Sequence, residues 1–315
     1  MAHPRTFRFA AQLSKAPDGT ARSWAEQARK AEDLGYATLL MPDHFGDQLA
    51  PVPALMAAAD ATTTLRIGAL VFDNDYRHPV VLAKEAATLD LLSDGRLELG
   101  LGAGWMRTDY EQSGIAYDPP ARRVDRFAEG VAVVAGLLAS DEPFSFHGEH
   151  YTVREHLLLP RPVQRPRPPL ILGGGGRRVL GIAGRLGDIV SINVDLRAGT
   201  GGVETAPNAS PEATRRKVAW VEEAAGARFA EIELNCLIGF ALITEDGPTV
   251  REAMAPTFGV EPADAAHVPV VLIGTLDEMV EELQWRRREY GISYFSVEAD
   301  CWEALAPVVS RLSGT

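Results

Sequence analysis

The sequence predicts an α/β barrel in which eight parallel strands alternate with helices, a (β/α)8 or TIM barrel. Short apolar runs alternate with segments whose apolar residues recur at helical spacing, a pattern that indicates a parallel sheet. The alternation occurs eight times within 315 residues, a length that α/β barrels reach as a single domain. Eight strands of the buried type favour a closed barrel over an open, doubly wound sheet.

The predicted strands are apolar runs, most of which lead into polar or glycine-rich residues. They comprise Phe7–Gln12, Ala37–Met41, Leu65–Phe72, Arg96–Leu101, Leu170–Leu172, Ile189–Asn193, Ile232–Ile243 and Tyr294–Val297. The predicted helices comprise Ala21–Leu34, Ala54–Ala61, Pro79–Leu92, Arg123–Leu138, Arg178–Leu186, Pro211–Ala225, Thr275–Tyr290 and Trp302–Leu312. Local signals support several ends, because Gly35 follows the first helix, Pro79 suits a first turn, and Thr275 with Glu278 has capping-box spacing.

Composition excludes several classes of protein. A net charge of -12 argues against nucleic-acid binding, which usually requires a basic face. No apolar run approaches the ~20 residues that span a bilayer, and Met1–Arg8 lacks the apolar core of a signal peptide. Cys236 has an apolar, strand-like setting and Cys301 a surface-like one, which predicts neither a disulfide nor a metal site and fits a reducing cytoplasm. The expected partner is therefore a small-molecule substrate.

Three segments are longer than ordinary connections, namely Trp105–Arg122, Ser140–Pro169 and Val194–Ser210. Long loops in a compact domain are usually functional. The first and third follow the carboxyl ends of predicted strands, so they are the candidate lids of an active site. The proline-rich part of the second, Leu159–Pro169, is predicted to be a rigid connector across the bottom of the barrel.

Polar and glycine-rich residues follow the strands at the end where a TIM barrel carries its active site. Asp43 and His44 follow the second strand, Gly102–Trp105 the fourth, and Asn193 ends the sixth. Histidine is the side chain best suited to exchange protons near neutral pH. An Asp-His pair at a strand end is also a common structural turn and helix cap, and both interpretations stay open at this point.

Four consecutive glycines, Gly173–Gly176, connect the fifth strand directly to a helix. Glycine lets the backbone approach a ligand, and a helix amino terminus offers free N–H groups to a phosphate. The alternative is a tight strand-to-helix turn without a ligand. The run does not form the G-x-G-x-x-G pattern of a Rossmann domain, and no such glycines follow the first strand.

Three histidines, His147, His150 and His156, lie close together in sequence. Their spacing matches no common zinc pattern, and the surrounding residues are typical of a β-hairpin. We therefore predict a hairpin here and no metal site.

Several motifs, in order along nearly the whole chain, resemble the luciferase-like monooxygenase superfamily. The residues that carry the resemblance are Gly35-Tyr36 through Pro42-Asp43-His44-Phe45, Arg77-His78-Pro79, Leu82–Asp90, Leu92–Arg96, Leu99–Trp105, Leu172–Gly176 and Ala183–Asp188. The Arg-His-Pro and the Gly-Ala-Gly-Trp sequences resemble the branch of the superfamily that uses the deazaflavin coenzyme F420 rather than FMN.

The resemblance implies a single barrel domain over residues 1–315 with loop insertions, often a homodimer, and a cofactor ring across the barrel mouth. It implies that Asp43 and His44 act at the ring as the catalytic candidates, with His44 handling the proton and Asp43 hydrogen-bonded to the cofactor or to the histidine. It also implies a non-proline cis peptide near Leu70 and Val71, behind the ring, and phosphate contacts at Gly175 and Gly176. The candidate cofactor-binding residues are Asp43, Leu70, Val71, His78, Gly104, Trp105, Gly174, Gly175, Gly176, Arg177 and Asn193.

The leading functional hypothesis is an F420-dependent oxidoreductase that transfers hydride to or from a small organic substrate. An FMN-dependent monooxygenase that uses O2 is the alternative, and a noncatalytic flavin-binding protein is a third. Trp105 stands where sugar-phosphate dehydrogenases of the F420 branch carry a glutamate, and Thr108 where they carry an asparagine, which argues against that substrate. Arg177 and Arg178 are positioned to attract the carboxylate tail that F420 carries beyond its phosphate.

Overall fold

The computed structural model of the protein describes residues 5–315 and contains the predicted closed barrel of eight parallel strands. Residues 1–4, the start of the Met1–Arg8 segment, lie outside the described residues. Strand β1 pairs with both β2 and β8, and β3 pairs with β4, so the sheet closes on itself. The strands are β1 Arg8–Gln12, β2 Thr38–Met41, β3 Arg66–Ala69, β4 Leu97–Gly102, β5 Leu170–Gly174, β6 Ile189–Ile192, β7 Glu233–Ile238 and β8 Ile292–Glu298.

Helices surround the barrel and bury one face against the strands. They are α1 Ala21–Asp33, α2 Pro51–Ala61, α3 Pro79–Leu92, α4 Arg107–Ser113, α5 Pro120–Ala139, α6 Arg177–Leu186, α7 Pro211–Ala225, α8 Gly247–Phe258, α9 Leu276–Tyr290 and α10 Ala306–Leu312. The predicted capping box is confirmed, because the Thr275 hydroxyl accepts from the Glu278 N–H while the Glu278 carboxylate accepts from the Thr275 N–H. In the described part of the chain, no helix is long and apolar enough to cross a membrane.

A cluster of charged side chains fills the barrel at the amino ends of the strands. Glu98, only 1% exposed, accepts hydrogen bonds from Arg8 at 2.7 Å, from Arg66 at 2.9 Å and from the Tyr294 hydroxyl at 3.0 Å. Arg8 also donates to Glu233 at 2.6 and 3.1 Å. Two glutamates thus meet two arginines, and this closed set of pairs satisfies charges that would otherwise be costly to bury.

The predicted single strand Ile232–Ile243 is wrong. Strand β7 ends at Ile238, and Phe240–Ile243 leaves the barrel to pair in parallel with Val271–Gly274, a strand that the sequence prediction did not include. The chain turns at Gly239, whose N–H donates to the Val270 carbonyl. The sequence does not reveal this break, because the residues on both sides of Gly239 are apolar.

Three helices also differ from the prediction. Helices α4 and α8 were not predicted, and α8 contains Pro256, a residue that normally signals the end of a helix. The predicted helix from Trp302 begins only at Ala306, because residues 299–305 form turns. Cys301 in that turn is 5% exposed, so its expected surface setting is wrong.

The long second loop contains the predicted hairpin, and its proline-rich part lies at the bottom of the barrel as predicted. Residues Phe144–His147 and Thr152–His156, which include two of the three clustered histidines, form an antiparallel hairpin, with His150 in its turn. In the proline-rich connector, the Gln164 side chain donates to Asp90 and to the Leu97 carbonyl at the amino end of β4. The connector therefore crosses the bottom of the barrel and leaves the opposite end open.

Candidate functional site

A cavity of about 970 Å³, counting its open mouth, lies at the carboxyl ends of the strands. Both loops predicted as lids contribute to its walls, through Trp105 and Pro120 from the first and Val194–Arg197 from the second. The candidate site residues that line the cavity are Asp43, His44, Leu70, Val71, Gly104, Trp105, Gly174, Gly175 and Asn193.

Three candidate residues do not line this cavity. His78 is the N-cap of α3, where its Nδ1 accepts from the Val80 N–H at 3.2 Å, and its ring lies edge-on to Tyr151. Gly176 is the N-cap of α6. Arg177, the first residue of that helix, pairs with Glu223 at 3.0 Å.

The floor of the cavity is formed where β3 is interrupted. The peptide bond between Leu70 and Val71 is cis, which confirms the sequence prediction, and both residues line the cavity. Strand β4 can pass close to this irregularity because it carries glycine there. A Cβ atom at Gly100 would lie 1.8 Å from the Ala69 carbonyl oxygen, and one at Gly102 would lie 2.4 Å from the Val71 side chain.

His44 has a carboxylate partner at one end of the cavity. Its Nδ1 lies 2.7 Å from Oδ2 of Asp109, and the Tyr76 hydroxyl donates to the same oxygen at 3.1 Å. Asp109 is 4% exposed, whereas the His44 side chain is 25% exposed. Because Nδ1 is engaged by the carboxylate, Nε2 is the ring nitrogen left for proton exchange. The His44 ring also lies edge-on to Trp105, with centroids 5.6 Å apart.

Asp109 is a residue that the sequence analysis missed. It lies on α4, inside the segment Trp105–Arg122 that was predicted only as a loop. The available signal was a carboxylate four residues after the strand-end tryptophan, within a segment already considered functional.

Asp43, next to His44, is held by an arginine. Arg77 donates to both Asp43 oxygens, at 2.6 and 3.2 Å, and Asp43 also accepts from the Asp73 N–H at 3.0 Å. Asp75 receives two hydrogen bonds from Arg126, both at 2.7 Å. Asp73 between them lines the cavity, and burial raises its pKa to about 7.

The other end of the cavity is built for an anion. Helix α6 follows the cavity-lining Gly174 and Gly175, and Gly176 at its N-cap provides no side-chain acceptor for the first N–H groups. The backbone is tightly packed here, since a Cβ atom at Gly175 would lie 2.2 Å from the Val194 carbonyl oxygen. A side chain at this position would therefore displace the loop that closes the cavity.

Arg123 is a second residue that the sequence analysis missed as part of the site. It lines the cavity and is 2% exposed, and within residues 5–315 its Nε has no hydrogen-bond partner. Its Nη1 donates to the Asp118 carbonyl at 2.8 Å and its guanidinium lies 4.2 Å from the Tyr117 ring centroid. A buried cation with an unused donor is suited to bind an anionic group.

Three exposed arginines near this part of the cavity have acidic partners. Arg177 pairs with Glu223, Arg178 with Asp125, and Arg197 with Asp195. The two lid segments also contact each other, because the Arg107 N–H donates to the Gly199 carbonyl at 3.1 Å. The two lid segments therefore cover this part of the cavity. Among the described residues, the donor without a partner here belongs to Arg123, which is buried.

Comparison with known families agrees with this site. The model of the luciferase-like monooxygenase family matches residues 5–289. The chain belongs to this family. The family match covers the barrel from β1 through α9, including every residue described at the cavity.

Relatives within the family differ in the cofactor that their names give. An FMNH2-dependent dimethylsulfone monooxygenase of Pseudomonas putida is 31% identical over 135 residues, 43% of this chain and 36% of the relative. An F420-dependent glucose-6-phosphate dehydrogenase of Amycolatopsis mediterranei is 31% identical over 175 residues, 53% of this chain and 52% of the relative. The chain therefore spans only about a third to a half of the length of these curated relatives.

Solved structures show the same fold over the full chain. The F420-dependent tetrahydromethanopterin reductase of Methanopyrus kandleri superposes with a TM-score of 0.74 over 97% of both chains, at 18% identity. The EDTA monooxygenase of Chelativorans superposes with a TM-score of 0.75 over 98% of this chain and 93% of its own, at 16% identity. At these identities, the superpositions show the barrel fold alone, and the cofactor and the substrate have to be argued from the site.

Proposed function

We propose that this protein is an oxidoreductase that binds coenzyme F420 in the cavity and transfers hydride between it and a small organic substrate. The observation that carries the proposal is that one cavity is lined both by His44 and by Arg123 and the glycines Gly173–Gly175 that lead into α6. A flavin-type cofactor has a largely apolar ring system and an anionic phosphate on its side chain, and the cavity matches both parts. F420, when bound, supplies a carbon that donates or accepts hydride.

The residues present fit such a cofactor. Leu70 and Val71 offer an apolar floor, and Gly174 and Gly175 let the backbone approach the ligand. Arg123 lines the cavity, and its permanently charged guanidinium suits an anionic group of the ligand. The phosphate would be held by the first N–H groups of α6 together with Arg123.

His44 is the proposed acid or base. The Asp109 carboxylate accepts the proton on Nδ1, which keeps Nε2 available to take a proton from a substrate hydroxyl or return one to a carbonyl. Tyr76 holds the same Asp109 oxygen and so limits rotation of the pair. Trp105 covers one edge of the His44 imidazole ring. Together with residues Val194–Arg197, it limits the access of water to His44.

Aromatic side chains lie beside His44. Phe45 is 50% exposed and packs on Tyr76 with ring centroids 4.4 Å apart, and Trp105 lines the adjacent wall. Thr108 is exposed on α4. These features favour an apolar alcohol, aldehyde or ketone over a sugar phosphate.

An FMN-dependent monooxygenase is the second candidate, and one observation favours it. The exposed arginines beside the anion end are already paired with carboxylates, so they offer little free charge to the carboxylate tail of F420. The ring and phosphate sites suit either cofactor. The choice of F420 rests on the resemblance of Arg77–Pro79 and Gly102–Trp105 to the F420 branch.

Titration of the apoprotein with F420 and with FMN tests the proposal. We expect F420 to bind more tightly, and reduced F420 to be consumed with a carbonyl substrate in the absence of O2. Tighter binding of FMN, or product that forms only with reduced FMN and O2, would assign the monooxygenase function instead. Binding without turnover of any substrate in a broad library would favour a noncatalytic binding protein.

Arg123→Met is the matching test of the anion end. Loss of a charge-assisted hydrogen bond of about 1.5–3 kcal/mol should weaken binding of either cofactor about 10–150-fold. Arg122→Met, at a side chain that is 63% exposed, is the matched control and should change the affinity less than twofold. Equal affinities of the two variants would place the phosphate elsewhere. The homodimer, the cytoplasmic location and the single domain remain predictions.

A further inference from the structure

Three buried carboxylates lie side by side after β2 and β3, but only two have a cationic partner. Asp43 is paired with Arg77 and Asp75 with Arg126. Asp73, which is 6% exposed and lines the cavity, forms no ion pair with any residue from 5 to 315. The cluster therefore holds one acidic group more than its arginines can neutralise.

The hydrogen bonds of Tyr110 indicate where a proton is held. The Tyr110 hydroxyl is fully buried and lies 3.0 Å from Oδ2 of Asp75 and 3.2 Å from Oδ2 of Asp73. A hydroxyl has one proton and can satisfy only one of these oxygens. If Asp73 were ionised, one carboxylate oxygen would face the tyrosine oxygen with no hydrogen between them.

A proton on Asp73 completes the set. Asp73 Oδ2–H then donates to Tyr110, and Tyr110 donates to Oδ2 of Asp75, which stays ionised beside Arg126. The other Asp73 oxygen already accepts from the Asp75 N–H at 2.8 Å. The shorter contacts in the chain Asp73–Tyr110–Asp75 then each have one donor and one acceptor, and the Tyr110 hydroxyl also lies 3.3 Å from Oδ1 of Asp73.

We infer that Asp73 retains its proton up to neutral pH and that this proton makes the cavity wall compatible with an anionic cofactor. Burial raises the pKa of Asp73 to about 7, and the negative charges of Asp75 and Asp43 act in the same direction. An anion in the cavity raises this pKa further, so it binds best to the protonated form. The identity of the ligand rests on the proposed function, whereas the protonation of Asp73 does not.

Other titratable and charged groups face the same volume and must be separated from Asp73. His44 is the important one, because histidine is the side chain best suited to exchange protons near neutral pH and it lines the same cavity. A pH dependence alone therefore does not identify Asp73, and the test compares variants. The charged and titratable groups around Asp73 and the cavity are Asp43 and His44 after β2, Asp75, Tyr76 and Arg77 after β3, Asp109 and Tyr110 on α4, Arg123 and Arg126 on α5, and Asp195 and Arg197 after β6.

Infrared spectroscopy of the apoprotein tests the protonation state directly. We expect wild type to show a carboxylic-acid C=O band that disappears as the pH rises from 6 to 9 with a midpoint near 7. Asp73→Asn should remove this band. Glu298→Gln is the matched control, because Glu298 also has a pKa raised by burial but does not line the cavity, and it should keep the band. Absence of such a band in wild type would overturn the inference even if Asp73→Asn failed to fold.

Cofactor titration tests the consequence. A group that must be protonated for binding costs about tenfold in affinity for each pH unit above its pKa. Between pH 7 and 9, F420 or FMN affinity should therefore fall about tenfold or more beyond the fall seen for Asp73→Asn. Parallel curves for the two proteins would overturn the role in binding. If neither cofactor binds at any pH, the proposed function fails while the infrared result still decides the state of Asp73.

Discussion

The two ends of the barrel each bury a cluster of carboxylates and arginines, and the clusters differ in their balance. The bottom cluster sits at the amino ends of the strands and consists of Arg8, Arg66, Glu98 and Glu233. The top cluster sits at the carboxyl ends and consists of Asp43, Asp73, Asp75, Arg77 and Arg126. The bottom has as many arginines as carboxylates, whereas the top has one carboxylate more.

The difference separates a structural role from a functional one. A closed set of pairs satisfies every buried charge and fixes the strand ends, and nothing in it is left to react. An excess acid at the rim of a cavity shifts its pKa instead, which is typical of functional sites. His44, with its carboxylate partner and its exposed edge, adds a second titratable group at the top.

His44→Ala should have the largest effect on rate. Loss of one acid–base group typically lowers the rate by about 10²–10⁴. The substitution should also lower the thermal midpoint of unfolding, because it leaves the buried Asp109 carboxylate with Tyr76 as its side-chain partner. The measurement is turnover of reduced F420 with a carbonyl substrate, together with thermal unfolding of the same preparation.

His78→Ala is the matched control for that variant. His78 was also a candidate site residue, but it caps α3 and lies outside the cavity lining. His78→Ala should lower the thermal midpoint of unfolding somewhat and should change the turnover rate little. If His78→Ala lost as much rate as His44→Ala, the separation between the cavity and its surroundings would be wrong.

Glu98→Ala should have the largest effect on stability. Glu98 is almost fully buried and accepts from two arginines and a tyrosine, so removal leaves those donors unpaired. Breaking a buried pair in this way costs about 3–5 kcal/mol. Urea unfolding measures the loss, with Glu289→Ala, at an exposed side chain, as the control that should change it by less than about 0.5 kcal/mol. Cofactor affinity of folded Glu98→Ala should stay within twofold of wild type, and a larger change would mean that the bottom cluster contributes to the site.

The sequence predicts the barrel well because its signal is local and repeated. Each βα unit carries its own apolar run, its own helix and its own cap, as in Thr275 with Glu278. The prediction fails in the seventh unit, where two apolar strands follow each other and only Gly239 marks the exit from the barrel. Apolar character alone does not tell a barrel strand from the strand beside it.

The site is predicted less completely, since its contacts join residues far apart in the chain. Asp43 and His44 stand out because they follow a strand, and the resemblance adds Leu70 and Val71. Asp109 and Arg123 each lie on a helix with many similar residues, and their role depends on contacts with His44 and with the cavity. Those contacts arise only when the barrel closes and α4 folds over its mouth.

The smallest expected effect concerns Arg177, which the sequence marks as a contact for the carboxylate tail of F420. Arg177 and Glu223 are both 66% exposed and already pair at 3.0 Å. Exposed pairs contribute only about 0.2–1 kcal/mol and weaken with salt, so Arg177→Ala should change F420 affinity less than about fivefold. Glu223→Gln should act in the opposite direction, because it frees Arg177 for the tail, and the gain should vanish at high salt. FMN, which lacks the tail, should respond to neither substitution at any salt concentration. A loss of FMN affinity in Arg177→Ala would mean that Arg177 contacts the phosphate itself, and the anion end would then extend beyond Arg123 to the surface of α6.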